Sequence, residues 1–295
     1  MIGYKLFLLL EKFLMLLPGS WRKSFFTSLG ALGYLLSSRY RNVVFQNLDY
    51  AFDGKMSQEE KEAIAKYNFK NLALNMMHLM ELRHMSKEEL SKKISIQNIE
   101  AVEKVHAEGR AVIYVTAHYA SWELGGAAIG AFIEPLAAVY KKLKNQTYQP
   151  WVLEARDAFG NKSIEKTNVV KHLIRFIKKR FAIGLLIDTN IKKRDGIEVE
   201  FLGKPITQTP TAAYLARKYD VAIIPVATRT DDDEHYTLMI FDELVVEKTD
   251  NEKADIQKAA QLQADWLSDL IRKEPKFWFW LHRRWKNDKP EIYKK

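Results

Sequence analysis

The stretch Ala111-Val112-Ile113-Tyr114-Val115-Thr116-Ala117-His118-Tyr119-Ala120-Ser121-Trp122-Glu123-Leu124-Gly125-Gly126 decides the reading of this chain. Residues 111–116 are a short, β-rich apolar run, as expected of a strand buried on both faces. The run ends in His118 and passes into a Gly/Ala-rich segment expected to be helical. Comparable runs stand at 136–140, 183–187, 221–226 and 237–241, with helical patterns at 169–179 and 210–218. Alternation of this kind predicts an α/β fold: a central, largely parallel or mixed sheet flanked by helices. Chemistry in such folds gathers at the carboxyl ends of strands, where both His118 and Asp188 fall. Helix starts are marked by the capping patterns Ser57-Gln58-Glu59-Glu60 and 86–89, and a further helix is expected to open at Thr249 to Glu252.

His118 and Glu123 lie five positions apart, about 500° of helical rotation, or about 140° around the axis. They meet only if His118 sits in the loop and Glu123 in the first helical turn. The carboxylate would then bond one ring nitrogen, and the other nitrogen would take a proton from a hydroxyl. That is the base-and-orienter logic of serine hydrolases, with the substrate's own hydroxyl as nucleophile. The plainer reading is a histidine closing a strand and a glutamate in a first helical turn. Ser121 is a second candidate nucleophile, but the G-x-S-x-G elbow is absent.

With no cysteine in 295 residues, disulfides, Cys-based metal sites and thiol nucleophiles are excluded. The net charge is +9, and the tail 271–295 is strongly basic. Such an excess points to an anionic partner: nucleic acid, lipid headgroups or an acidic carrier protein. The amino-terminal sequence favours lipid. Leu6-Phe7-Leu8-Leu9-Leu10-Glu11-Lys12-Phe13-Leu14-Met15-Leu16-Leu17 is stopped by Pro18-Gly19, and a second apolar stretch covers 25–36. Each is shorter than the roughly 20 residues that span a bilayer comfortably. An interfacial or re-entrant hairpin is therefore expected, with Arg22, Lys23, Arg39 and Arg41 near headgroups. A single short span and a buried core helix are the alternatives. The organisation expected is a membrane-associated hydrophobic segment over 1–38 and a catalytic domain over 39–295. No zinc-finger, RNP or heptad pattern supports a nucleic-acid partner, which leaves that function a remote alternative.

Several further motifs stand in order. Residues 41–52, from Arg41 through Asn47-Leu48 to Ala51-Phe52, read R-x5-N-L-x2-A-F. Arg156 precedes Phe159-Gly160-Asn161-Lys162-Ser163, and Ile187-Asp188-Thr189-Asn190 follows a strand. Phe201-Leu202-Gly203, Thr209 and Leu215-Ala216-Arg217 come next, and Phe277-Trp278-Phe279-Trp280-Leu281-His282-Arg283-Arg284-Trp285-Lys286 closes the series. His118-x4-Glu123 is similar to the H-x4-D/E motif of glycerolipid acyltransferases. With these motifs, the chain from about residue 39 to residue 286 resembles the bacterial lipid A late acyltransferases of the lauroyl and myristoyl type. It departs from that pattern in carrying Ile187 and Thr189 around Asp188, and Lys141 where an arginine is common.

The resemblance implies a peripheral or singly anchored enzyme on the cytoplasmic face of the bacterial inner membrane. It would move a fatty acyl chain from acyl carrier protein, less often from coenzyme A, to the 3-hydroxyl of an acyl group on a lipid A precursor. No metal or organic cofactor is implied. His118 and Glu123 are the expected catalytic pair, and Arg156, Asp188, Lys141, Arg283 and Arg284 the expected substrate-binding residues. Arg156 would bind a phosphate or steady the thioester oxyanion, or else form a surface ion pair. Asp188 reads equally as a site residue or a turn cap. Arg283 and Arg284 would face headgroups while the aromatic residues around them anchor to the core. The nearest alternative is a lysophospholipid or other glycolipid acyltransferase.

Overall fold

A computed structural model describes residues 2–166 and 169–294. The chain runs through α1 (Ile2–Leu16), α2 (Gly19–Leu36), α3 (Ser38–Ala51), α4 (Gln58–Leu82), α5 (Lys87–Lys93), β1 (Ile94–Gln97), α6 (Glu100–Ala107), β2 (Val112–Thr116), α7 (Trp122–Phe132) and β3 (Leu136–Tyr140). It continues through α8 (Gln149–Arg156), β4 (Lys162–Glu165), α9 (Val169–Lys178), β5 (Ala182–Leu186), β6 (Ile197–Phe201), β7 (Lys204–Gln208), α10 (Thr211–Tyr219), β8 (Ala222–Thr230), β9 (Tyr236–Ile240) and α11 (Glu252–Lys273).

The sheet has the order β1-β9-β8-β2-β5-β3-β4 and is parallel except where β8 meets β9. β2 lies near its centre, between β5 and β8. Alternate residues of β2 serve two different cores. Ile113 and Val115 pack among the residues of α9, α10, α11 and the C-terminal aromatics. Val112 and Tyr114 pack on the face covered by α6, α7 and α8. Burial on both faces explains why β2 reads as one apolar run without alternation.

The capping boxes form as the sequence suggests. Ser57 Oγ accepts from Glu60 N while Glu60 reaches back to Ser57 N, and Ser86 and Glu89 repeat the exchange. The last helix starts at Glu252, at the end of the expected opening. Its N-cap is Asn251, which accepts from Ala254 N at 3.1 Å. Thr249 bonds Asp255 instead, at 2.7 Å.

The N-terminal helices pack on this body. α2 crosses α4 so closely that a Cβ on Gly30 would lie 2.8 Å from the Lys70 Cα, which only glycine permits. Leu6, Leu9, Phe13 and Leu16 of α1 are exposed, as are Trp21, Leu32 and Leu35 of α2. Glu11, which interrupts the apolar run in sequence, is turned inward. It accepts from Trp151 Nε1 at 2.8 Å, pairs with Arg83 and bonds the His84 ring at 2.8 Å. Three of the cations expected at headgroups are engaged within the fold. Arg22 pairs with Glu81, Lys23 with Glu234, and Arg41 donates to the last carbonyls of α2. Among the described residues, no helix is long and apolar enough to cross a membrane.

The aromatic C-terminal run is core rather than surface. Phe277, Trp278, Trp280 and Trp285 are buried. Asn47 on α3 pins this run by donating to the carbonyls of Trp280 and His282 at 2.7 and 2.8 Å.

Candidate active site

His118 follows β2 by two residues, and Asp188 follows β5 by two. Because Thr116 pairs with Leu186 in the parallel register, the two side chains emerge side by side. His118 Nδ1 lies 3.0 Å from Asp188 Oδ1, and the His118 backbone N–H donates to Asp188 Oδ2 at 2.8 Å. Trp278 Nε1 donates to the same Oδ2 at 3.0 Å. Burial of Asp188 favours its neutral form. The charge of the His118 ring, the two hydrogen bonds from His118 and the nearby Arg284 outweigh that and hold its carboxyl at about 2. An ionised carboxylate only accepts, so His118 Nδ1 is the donor and Nε2 is left free as a base. For His118 itself, burial presses the pKa down. Asp188's charge and hydrogen bond, with the charge of Glu123, prevail and lift it above its ordinary value.

The loop that carries His118 is held in an uncommon conformation. Ala120 has φ 43°, a left-handed value costly for a residue with a Cβ. Its carbonyl is caught by Asn71 and Asn75, one turn apart on α4, at 3.0 and 2.9 Å. Its N–H donates to Phe277 O at 2.9 Å, and Phe279 N–H donates to His118 O at 2.9 Å. The His118 ring packs edge-on against Trp122, with centroids 5.0 Å apart, and also touches Phe279.

Glu123 sits in the first turn of α7, as expected, but its partner differs from the expected one. Its carboxylate accepts from Arg156 Nε at 3.0 Å and Nη2 at 2.5 Å, and from Trp122 Nε1 at 3.0 Å. Among the described residues it makes no hydrogen bond to the His118 ring; Asp188 holds that position. Glu123 remains close enough for its charge to raise the His118 pKa. Glu123's charge in turn raises the Arg156 pKa against the opposing effect of burial.

His118, Glu123, Arg156, Lys141 and Thr189 line one cavity of about 350 Å³. Its other walls are Tyr114 of β2, Ile129 of α7, Leu136 of β3, Val226 of β8 and Leu238 of β9. These residues are all buried, so the cavity runs from His118 into the core between α7 and the sheet. Asn161 fixes one wall: its amide donates to Gly126 O at 2.9 Å and its Oδ1 accepts from Leu136 N at 3.1 Å. A Cβ on Gly130 would fall 2.0 Å from that amide oxygen, so the α7 glycine makes room for it.

The remaining candidates sit elsewhere. Arg284 is 1% exposed and cannot reach a headgroup. It donates to the carbonyls of Thr189 and Thr207 at 3.3 Å, and burial lowers its pKa to about 10. Its guanidinium lies over the buried Phe201 ring, 5.8 Å from the centroid, and its charge helps keep Asp188 ionised. Arg283 is half-buried over the Tyr293 ring and does not line the cavity. Ser121 is fully buried, and its hydroxyl lies 2.7 Å from His78 Nδ1 rather than at His118. Sequence reasoning gave Trp278 only as part of an aromatic run anchored to the core, and missed Asn71 and Asn75. The asparagines at i, i+4 inside a long helix were the available signal.

A base at the mouth of an apolar cavity suits acyl transfer to a hydroxyl. The chain is similar to known proteins of that chemistry. It is 24% identical over 266 residues to the lipid A biosynthesis palmitoleoyltransferase of Escherichia coli K12, covering 88% of this chain and 83% of that protein. It is also 24% identical to the lipid A biosynthesis lauroyltransferase of the same organism, covering 89% and 84%. It is 20% identical to the phosphatidylinositol mannoside acyltransferase of Mycolicibacterium smegmatis, covering 79% and 75%. Residues 2–287 match the family described as bacterial lipid A biosynthesis acyltransferase, and the chain belongs to that family of acyltransferase enzymes.

Proposed function

We propose that the protein transfers a fatty acyl chain from an acyl carrier protein thioester to a hydroxyl of a lipid A precursor. The observation that carries this reading is the free His118 Nε2, its ring fixed by a buried carboxylate, at an apolar cavity entering the core. The acyl chain of the donor occupies that cavity. His118 Nε2 takes the proton from the acceptor hydroxyl as its oxygen attacks the thioester carbon. The carbon–sulfur bond breaks, and the imidazolium returns its proton to the departing thiolate. Asp188 steadies the imidazolium throughout. Glu123 and Arg156 act as a pair at the cavity wall, where Arg156 is placed to stabilise developing negative charge. Exposed Lys141 meets an anionic group of the carrier or acceptor. Coenzyme A is the alternative donor. The likeness to a phosphatidylinositol mannoside acyltransferase favours a different glycolipid acceptor as the second reading.

The test supplies purified protein with acyl carrier protein charged with several chain lengths and a tetraacylated lipid A precursor. Products gain the mass of one fatty acid less water. No gain with any chain length overturns the reading, and gain only on another glycolipid establishes the second.

Residues 1–38 are proposed as the membrane-associated segment, on the cytoplasmic face of the bacterial inner membrane. What supports this is the row of exposed leucines on α1, with Glu11 turned away from it. Replacing Leu6 and Leu9 together by glutamate is expected to weaken binding to anionic phospholipid vesicles about tenfold or more, with folding retained. Unchanged co-sedimentation would place the anchor on the basic C-terminal surface instead.

A further inference from the structure

A second apolar groove lies between α2, α4 and the C-terminal run. It holds about 760 Å³ and is lined by Leu29, Leu72, Ala73, Met76, Phe279 and His282, among others. Two features set it apart from an ordinary packing defect. First, it reaches the catalytic histidine. Phe279 lines this groove while Trp122 lines the cavity of His118. The two rings touch each other, at 5.8 Å between centroids, and both touch the His118 ring. The aromatic pair is therefore the partition between the two spaces. Second, the half-buried His282 lines it beside Phe279.

We infer that this groove binds a hydrocarbon chain of the acceptor lipid, with the His282 ring bonding a carbonyl or hydroxyl oxygen near the chain's inner end. The inference rests on the acyl-transfer reading above and adds the acceptor's subsite to it. The occupant follows from the groove's two ends. Its rim residues Leu29, Leu72 and Met76 are exposed and continue the exposed apolar surface of α2, the side from which a membrane lipid arrives. Its inner wall abuts His118, where the acceptor hydroxyl must be delivered. The donor, carried through water, enters the other space, beside Lys141 and Arg156. Burial keeps His282 neutral, with its pKa at about 4, so the ring offers a hydrogen bond rather than a charge, which suits an ester or hydroxyl.

The test fills the groove and measures each substrate separately. Ala73 is half-buried on α4, and Ala73→Phe places a ring in the groove. The expected result is a KM for a long-chain acceptor raised about tenfold or more, with the KM for the acyl donor unmoved. His282→Leu raises the acceptor KM in the same way, and His282→Gln, which keeps a polar group there, restores most of the loss. Ala73→Leu is the smaller fill to read if the phenylalanine variant does not fold. An unmoved acceptor KM in the folded filled variant overturns the inference, as does a rise confined to the donor KM, which would make the groove the donor's. A wild-type protein that acylates no lipid hydroxyl defeats the underlying reading instead, a result distinct from either.

Discussion

Asp188→Asn is expected to lower kcat by about 10⁴, the scale on which a triad histidine fails when forced into the wrong tautomer. The substitution is nearly isosteric. The amide oxygen can still accept from the His118 backbone N–H and from Trp278 Nε1, the two bonds now made to Oδ2. That leaves the amide –NH₂ facing His118 Nδ1, which must then accept. The ring's single proton moves to Nε2, and the base is gone. The pH profile changes with it. In the wild type the active form is the neutral ring, so kcat/KM rises with pH through a His118 pKa above 6.5 and then levels. Without the Asp188 charge, burial prevails and the residual activity rises through a pKa below that value. Arg284 also loses a counter-charge, so Tm is followed alongside the rate.

His118→Ala removes the base itself and is expected to cost about 10²–10⁴ or more in transfer rate with the fold intact. The contrast with neighbouring residues is informative. Glu123→Ala is expected to cost less, because it frees Arg156 and removes one favourable charge while leaving the Asp188–His118 pair in place. Ser121→Ala should affect stability rather than chemistry, since the hydroxyl is buried against His78. A loss in Glu123→Ala equal to that in His118→Ala, measured by initial rates on folded protein, would return Glu123 to the role Asp188 holds here.

The legible strands were mostly those buried on both faces, with β9, whose residues alternate between buried and half-buried, legible beside them. β2, β3, β5 and β8 read as apolar runs because helices or the C-terminal run cover both faces. β1 (Ile-Ser-Ile-Gln) and β4 (Lys-Ser-Ile-Glu) escaped notice. They are four-residue edge strands, too short and polar to stand out from loop. The position of His118 was legible for the same reason β2 was. Its true partner was not. Glu123 is five residues away and Asp188 seventy, and only the β2–β5 pairing makes the distant one the neighbour. Strand adjacency in a parallel sheet leaves no local mark in sequence. Arg284 was misplaced because a basic pair in a tail looks like surface; the Phe201 ring and the Thr189 and Thr207 carbonyls that hold it come from distant parts of the chain.

The central claim is that the acceptor hydroxyl, activated by His118, attacks the thioester directly. Intact-protein mass spectrometry of the wild type, mixed with acyl carrier protein thioester and no acceptor, tests it. Direct attack predicts an unmodified protein mass at every time, followed by acylated lipid once acceptor is added. A protein heavier by one acyl group, formed without acceptor and discharged by it, would contradict the claim. If that adduct mapped to Ser121 and vanished in Ser121→Ala with the activity, the chemistry would be a two-step relay through the protein.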